Sequence, residues 1–422
     1  MACVWQLMRI SKRSFIFLPL LAMSSLNAVE FRSLFNGKDL AGWSGKGYEV
    51  VDNAIVCTPE GRNLLTEERF TNYILDFEFL LPPGGNNGLG IHYPGSGDAA
   101  YVGMELQILD DSSDKYKDLK DYQFHGSIYT MVPAKKGHLK PLGEWNHEIV
   151  TVMANTVKVE LNGTVITEAK LDDLQQKFPQ HLGVKRRSGH LSWCGHGDRV
   201  SFRNIKIAEL PMAADDEALK KDGFTQIFDG KTLANWKVEA GSEGHWVPSN
   251  GVLKYDGRSI AEKKDLWSLK EYGDFTMKLD WRWNGLGPLM DRPVINAEGE
   301  QTGETLKVEE LDSGVYMRGN ISSQVNLWNW PVGSGEVFGY RTNKSHPPEV
   351  RAGVTPKEKA DKPVGEWNRI EITMKGDRLT VILNDKKVID NAQLPGVPVK
   401  GAVGLQHHGS SLDFANIWIK EL

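Results

Sequence analysis

Cysteine is almost absent from this chain, with three in 422 residues. Cys57 and Cys194 are the only two beyond the first 28 positions. Two cysteines cannot supply the spacing of a zinc site or a disulfide framework. An oxidising compartment would let them pair, but they read as two buried free thiols. A positive net charge is also missing, the formal value being −5. That argues against a nucleic-acid partner, which would want a basic surface. Long apolar runs are lacking too, and the stretch Phe15–Leu21 is too short to cross a bilayer of about 30 Å as a helix. There is no G-x-S-x-G elbow and no phosphate-binding loop. His147-Glu148 starts like a metalloprotease motif, but Thr151 stands where its second histidine belongs. No long segment carries the 3.6-residue period of an amphipathic helix.

What is present begins with a leader. Arg9, Lys12 and Arg13 form a cationic region, Phe15–Leu21 an apolar one, and Leu26-Asn27-Ala28 ends in a small residue suited to cleavage. Residues 1–28 are therefore expected to be a signal peptide, and the mature chain to be secreted, to a periplasm. Cys3 precedes the apolar run, the wrong place for a lipoprotein cysteine. Three cations and no acid leave with the peptide, taking the net charge from −5 to −8. Hydrophobic residues at 40% and charged residues at 25% suit folded domains with cores.

The chain is written twice. Phe35-Asn36-Gly37-Lys38-Asp39-Leu40-Ala41-Gly42-Trp43 recurs as Phe228-Asp229-Gly230-Lys231-Thr232-Leu233-Ala234-Asn235-Trp236. Gly143-Glu144-Trp145-Asn146 recurs unchanged at 365–368, and the ending GHGDRVSFRNIKIAEL at 195–210 returns as HHGSSLDFANIWIKEL at 407–422. Three anchors in one order predict two homologous domains, 29–210 and 223–422. The linker between them, 211–222, has the composition for one helical turn. Within each copy the period is two: Phe275, Met277, Leu279, Trp281 and Trp283 alternate with polar residues. Asn162-Gly163 and Asn384-Asp385 suit tight hairpins. The expected fold is all-β, each copy a sandwich of two antiparallel sheets.

The FxGxxLxxW opening, Glu105-Leu106-Gln107-Ile108-Leu109-Asp110, His125-Gly126-Ser127-Ile128-Tyr129, GEWN and the FxNIxIxEL ending together resemble one family. It was once named only as a domain of unknown function, number 1080, and is now described as 3-keto-disaccharide hydrolases, or 3-keto-glucoside 1,2-lyases and 3-keto-2-hydroxy-glucal hydratases. The resemblance covers both halves and implies two tandem concanavalin-like jelly rolls. It also implies a partner that is an oxidised (3-keto) glycoside or another saccharide.

Candidate site residues follow from the pattern. On a strand, Glu105 and Gln107 face one way while Met104, Leu106 and Ile108 face the core, and a solvated outer face is the plain alternative. Asn86-Asn87-Gly88, Asp110-Asp111, His125 and Tyr129 lie close in sequence and favour a site. Aligning Asn87–His92 with Ser313–Arg318 sets His92 opposite Arg318, and Gln324 opposite Glu105. An amide cannot act as a general base, so the copies cannot work identically at this position. The second copy offers Tyr316, Arg318, Gln324, Asn326, Trp328, Tyr340 and Arg341. Trp328 with Trp330 would make either a pyranose platform or ordinary core. His196 and His408 head the two closing strands.

For a 3-keto sugar, a base removing the C2 hydrogen lets the C1 substituent leave by β-elimination, and hydration of the glucal completes a net hydrolysis. Glu105 or His125 would be the base, with His92 or Arg318 at the enolate oxygen. Asp110 would orient a histidine or bind a cation. No cofactor signature exists; Asp110-Asp111 could hold calcium or form a solvated turn. The rival function is a non-catalytic, lectin-like sandwich, since fold does not fix function.

Overall fold

The computed structural model describes residues 29–422, so the expected leader lies outside the described residues. Its strands assemble into two sandwiches built to the same plan. In the first, the larger sheet runs Thr164–Lys170, Thr156–Leu161, Asn146–Met153, Tyr73–Leu80, Ser201–Glu209, Ala54–Cys57 and Tyr48–Val51. The smaller sheet runs Trp43–Gly45, Asn63–Thr66, His190–Cys194, Asn86–Tyr93 and Met104–Leu109. The second sandwich repeats both orders. Its larger sheet centres on Leu412–Glu421 beside Phe275–Trp283, and its smaller sheet ends on Asp312–Met317 and Asn320–Trp328. Every named pairing in the two sandwiches is antiparallel. Among the described residues no helix is long and apolar enough to cross a membrane.

The period of two drives this. In Tyr73–Leu80, Tyr73, Leu75, Phe77 and Phe79 are buried while their neighbours are half-exposed. In each copy the inward-facing residues of both sheets form one apolar core.

The repeated ending has a physical reason beyond duplication. Phe202 and Ile205 are both fully buried although three residues apart, which an unbroken strand would place on opposite faces. The register shifts between Arg203 and Lys206, and Asn204 there takes φ 53°. Asparagine tolerates this left-handed conformation better than most residues, and the resulting bulge returns Ile205 and Ile207 to the core. Asn416, at φ 51°, does the same for Phe414, Ile417 and Ile419.

The sandwiches are joined by buried charge. The Glu209 carboxylate, at the end of the first closing strand, meets Arg282 of the second sandwich and Lys254 at 2.6 Å. Arg282 is itself fully buried, reaches Asp413 at 2.8 Å and lies 5.0 Å from the Trp367 ring centroid. Burial alone would raise the Glu209 pKa, but Arg282, Lys254 and Arg32 reverse the effect and hold it far below the usual range. Thr71 donates its hydroxyl to the Gly365 carbonyl at 2.6 Å across the same junction. The connecting segment carries the short helix Asp216–Lys221 and is tied to the second sandwich by the Asn416 amide on the Met212 carbonyl.

Cys57 and Cys194 are both buried and free. Burial raises both thiol pKa values.

Candidate functional site

The strand Met104–Leu109 forms an edge of the small sheet, and every residue in it is buried. A cover therefore lies over its outward face. The cover has three parts: the short helix Ala99–Val102, the long return from Asp110 to Tyr129, and the head of the closing strand at His196. Between them and the strands is a cavity of about 320 Å³. Asn86, Glu105 and Gln107 enter it from the strands, Asp98 and Tyr101 from the helix, and Tyr116, Gln123 and Tyr129 from the return.

Glu105 is the chemical centre of this space. Its residue is 6% exposed, and Oε1 has no hydrogen-bond partner. Burial first, and the charge of Asp98 second, push its pKa up to about 8. Space for the carboxyl exists because residue 88 is glycine: a Cβ there would stand 1.9 Å from Oε1. The surroundings are mostly neutral hydrogen-bonding groups. Gln107 donates to the Asn86 side-chain oxygen at 2.8 Å. Gln123 donates to the Tyr129 hydroxyl at 3.2 Å, which leaves the tyrosine O–H free to donate. Burial lowers the His196 pKa, so its imidazole is neutral near pH 7.

Four of the sequence candidates thus meet in one cavity: Glu105, Gln107, Tyr129 and His196. His92, Asp110 and His125 do not line it. His92 is 1% exposed with neither ring nitrogen bonded, and burial followed by Arg187 and Arg186 takes its pKa down to about 3. Such a neutral, enclosed ring cannot reach an enolate in this cavity. Asp110 caps its own loop, accepting from the Gly84 amide at 2.8 Å and from the Ser112 hydroxyl at 2.6 Å. Asp111 accepts from the His125 amide at 2.9 Å. Among the described residues, no group of three or more His, Cys, Asp or Glu side chains is placed to hold a metal. The His125 ring is buried against Phe79, with Nε2 3.0 Å from the Glu148 carboxylate.

The second sandwich uses the equivalent positions differently. Gln324 donates to the Gln406 side-chain oxygen at 2.6 Å. Tyr316, where the first copy has Gly90, stacks on Trp267 with centroids 5.1 Å apart. Gly90 leaves room for Ala99 of the covering helix, whereas the second copy turns directly from Met317 to Asn320. Arg318 is fully engaged, donating to the carbonyls of Gly273, Gly376 and Pro398 and to Asp274. Its role is to tie loops together, and it is not available to an enolate. Arg341 pairs with buried Glu336, and the Tyr340 hydroxyl donates to the Pro395 carbonyl. Asn326 is buried. Trp328 stacks on Trp330 at 4.3 Å, and Arg292 lies over the outer ring at 4.7 Å, so the pair forms an internal stack instead of a sugar platform. His408 is exposed, 3.6 Å from Asp312.

Asp98, Tyr101, Tyr116 and Gln123 were not among the sequence candidates. They come from single helical turns and the loops around them, too short for a periodicity to mark direction. Glu148 did leave a signal: it occupies an inward position of an alternating strand, between Asn146 and Val150.

A family model described as a 3-keto-alpha-glucoside-1,2-lyase-like domain matches residues 30–208 and again 223–420. The chain belongs to this family. Each sandwich is one copy of the lyase-like domain. A Bacteroides thetaiotaomicron relative named 3-keto-disaccharide hydrolase is 27% identical over 234 residues, covering 44% of this chain and 80% of its own. A crystal structure from Parabacteroides distasonis, of a protein named only provisionally as a glycosyl hydrolase, is 26% identical. It covers 43% of this chain and 99% of its own, with a TM-score of 0.39. A carbohydrate-binding module from Bacillus subtilis is 13% identical over 40% of this chain and 96% of its own, with a TM-score of 0.29. Family membership makes the protein carbohydrate-active, and each lyase-like copy is a jelly-roll sandwich.

Proposed function

We propose that the first sandwich cleaves 3-keto-glycosides, with Glu105 as the acid–base group, and that the second sandwich is not catalytic at the equivalent position. The observation that carries this reading is the unpartnered, buried Glu105 carboxyl with its pKa raised to about 8. A catalytic acid–base group works best with a pKa near the operating pH, and burial supplies that here.

The ketone at C3 acidifies the C2 hydrogen. The Glu105 carboxylate takes that proton, and the C–H electron pair moves into the C2–C3 bond as the carbonyl becomes an enolate. When the enolate collapses, the C1–O bond breaks, a C1–C2 double bond forms, and the leaving oxygen collects a proton. Tyr129 supports that donation, because its hydroxyl already accepts from Gln123. Water then adds at C1 and a proton returns to C2, giving the free 3-keto sugar. Gln107, Asn86 and neutral His196 supply hydrogen bonds for a sugar's hydroxyls. A leader over residues 1–28 fits export of such an enzyme toward extracytoplasmic saccharides.

The test is to incubate the mature chain with a 3-keto-disaccharide and, separately, with the unoxidised disaccharide, following release of the second sugar by NMR. Release from the keto sugar alone is expected. Release from both would point to direct glycoside hydrolysis, and binding without release would leave a lectin.

A further inference from the structure

We propose that His125 and Glu148 are a positioning dyad, holding the long return that walls the cavity in its closed conformation. This deepens the reading of Glu105 as the acid–base group and rests on it for its kinetic consequence.

The two sandwiches solve the same backbone problem in different ways. In the first sandwich the Leu109 amide, at the end of the Glu105 strand, donates to His125 Nδ1 at 3.4 Å. In the second, the equivalent Trp328 amide donates to the Ser334 hydroxyl at 3.0 Å. The equivalence is fixed by the backbone: the Gly126 amide bonds the Gln107 carbonyl just as the Gly335 amide bonds that of Asn326. In the second copy a serine, itself held through its amide and hydroxyl by the Asp361 carboxylate, caps this strand end. Facing it, the second sandwich has Ile370 where the first has Glu148, two residues after Asn368 and Asn146 respectively. In the second copy this position is apolar, and Ile370 is fully buried in the core.

The first sandwich instead buries an ionisable pair. The two side chains are 2% and 0% exposed, and neither Glu148 oxygen has an aligned hydrogen bond. Burying polar groups without aligned hydrogen bonds is unfavourable, and apolar replacements are often neutral or stabilising. The difference between the copies lies in what the dyad holds. The return it closes spans sixteen residues from Leu109, against six from Trp328. The longer return carries Tyr116, Leu119 and Gln123 into the cavity, and Tyr129 follows directly. The His125 amide donates to Asp111 at the return's start, its ring reaches Leu109, and Nε2 faces Glu148 on the opposite sheet. One residue thus fastens both ends of the return to each other and to the core.

The experiment transplants the second copy's solution. The mature chain carrying His125→Ser with Glu148→Ile is compared with the parent and with Glu148→Gln, which keeps a polar side chain of the same size facing Nε2. Amide hydrogen exchange over residues 110–129 is expected to speed up at least ten-fold in the double variant, with the core strands unchanged. Cleavage of the 3-keto-disaccharide is expected to lose at least ten-fold in kcat/KM, mainly through KM, while Glu148→Gln stays within about three-fold of the parent. A folded double variant with unchanged exchange in the return overturns the proposal, as does Glu148→Gln as damaging as the double variant. If the parent cleaves no keto sugar, the functional reading fails while the exchange measurement still decides the dyad. Should the double variant not fold, His125→Gln replaces it, and unchanged exchange in that variant overturns the proposal equally.

Discussion

Glu105 and Gln324 occupy one position in two copies of one fold, and they are kept in opposite ways. The glutamate is buried without a partner beneath a helix and a long return. The glutamine is matched to Gln406 at 2.6 Å, beside the Tyr316–Trp267 stack. One copy leaves a reactive group unsatisfied inside a cavity, while the other pairs its polar groups and fills the space with aromatic rings. The unsatisfied state is costly, because a buried polar group without a hydrogen bond loses its hydration for nothing. On the proposed function, that cost is tolerated in the copy where the group does chemistry. A second contrast reinforces the first: Glu209 is equally buried, yet three cations hold its pKa down, so its role is to join the sandwiches.

The joining role yields the largest expected effect. Arg282→Leu leaves Glu209 and Asp413 buried with their shared cation gone, and a loss of about 3–5 kcal/mol is expected. Chemical denaturation measures it; a change under about 1 kcal/mol would remove the distinction between joining and reacting carboxylates. Next comes the pair Gly88→Ala and Gly314→Ala. A methyl at 88 collides with the Glu105 carboxyl and one at 314 with the Gln324 amide. Gly88→Ala is expected to cut cleavage by about a hundred-fold, in the range of losing a general base. Gly314→Ala should leave kcat within two-fold, and equal losses from the two would erase the asymmetry between copies.

The pH dependence is a finer probe. Glu105 has its folded pKa raised from 4.5 to about 8, so the folded state holds a proton that the unfolded chain releases. Its contribution is fully present below about pH 4.5 and is lost as pH rises through 8. Melting temperatures of the parent should therefore fall across that window relative to Glu105→Gln, and parallel curves would show that the carboxyl is not held protonated. The smallest effect is expected from Gln324→Glu. It installs the acid in the second copy, but Tyr316 stands where the first copy has Gly90 and no counterpart of the Ala99–Val102 helix follows the strand, so no gain in cleavage should appear by NMR.

Much of the architecture was legible in the sequence. The period of two in segments such as Phe275–Trp283 and the doubled anchors predicted paired all-β sandwiches. The alternation of Glu105 and Gln107 against Leu106 and Ile108 placed the right strand face at the cavity. The positive-φ bulge at Asn204 and Asn416 was written in the repeated FxNIxI without being readable as such, because a bulge shows only against its partner strand. His125 is close to Glu105 in sequence but points into the core, since an irregular return has no period to give direction. Arg318 and His92 were correctly aligned with each other, and both take positive φ, at 52° and 53°. Their side chains nonetheless turn away from the site. Charge and alignment identify equivalence, whereas access to a cavity depends on loops that obey no repeat.

The most direct measurement is cleavage of a 3-keto-disaccharide in D₂O by the parent and by Glu105→Gln, followed by NMR. The parent is expected to release the second sugar, with deuterium entering C2 of the keto sugar, and Glu105→Gln to lose both by a factor of about a hundred or more. Full release by Glu105→Gln would contradict Glu105 as the acid–base group.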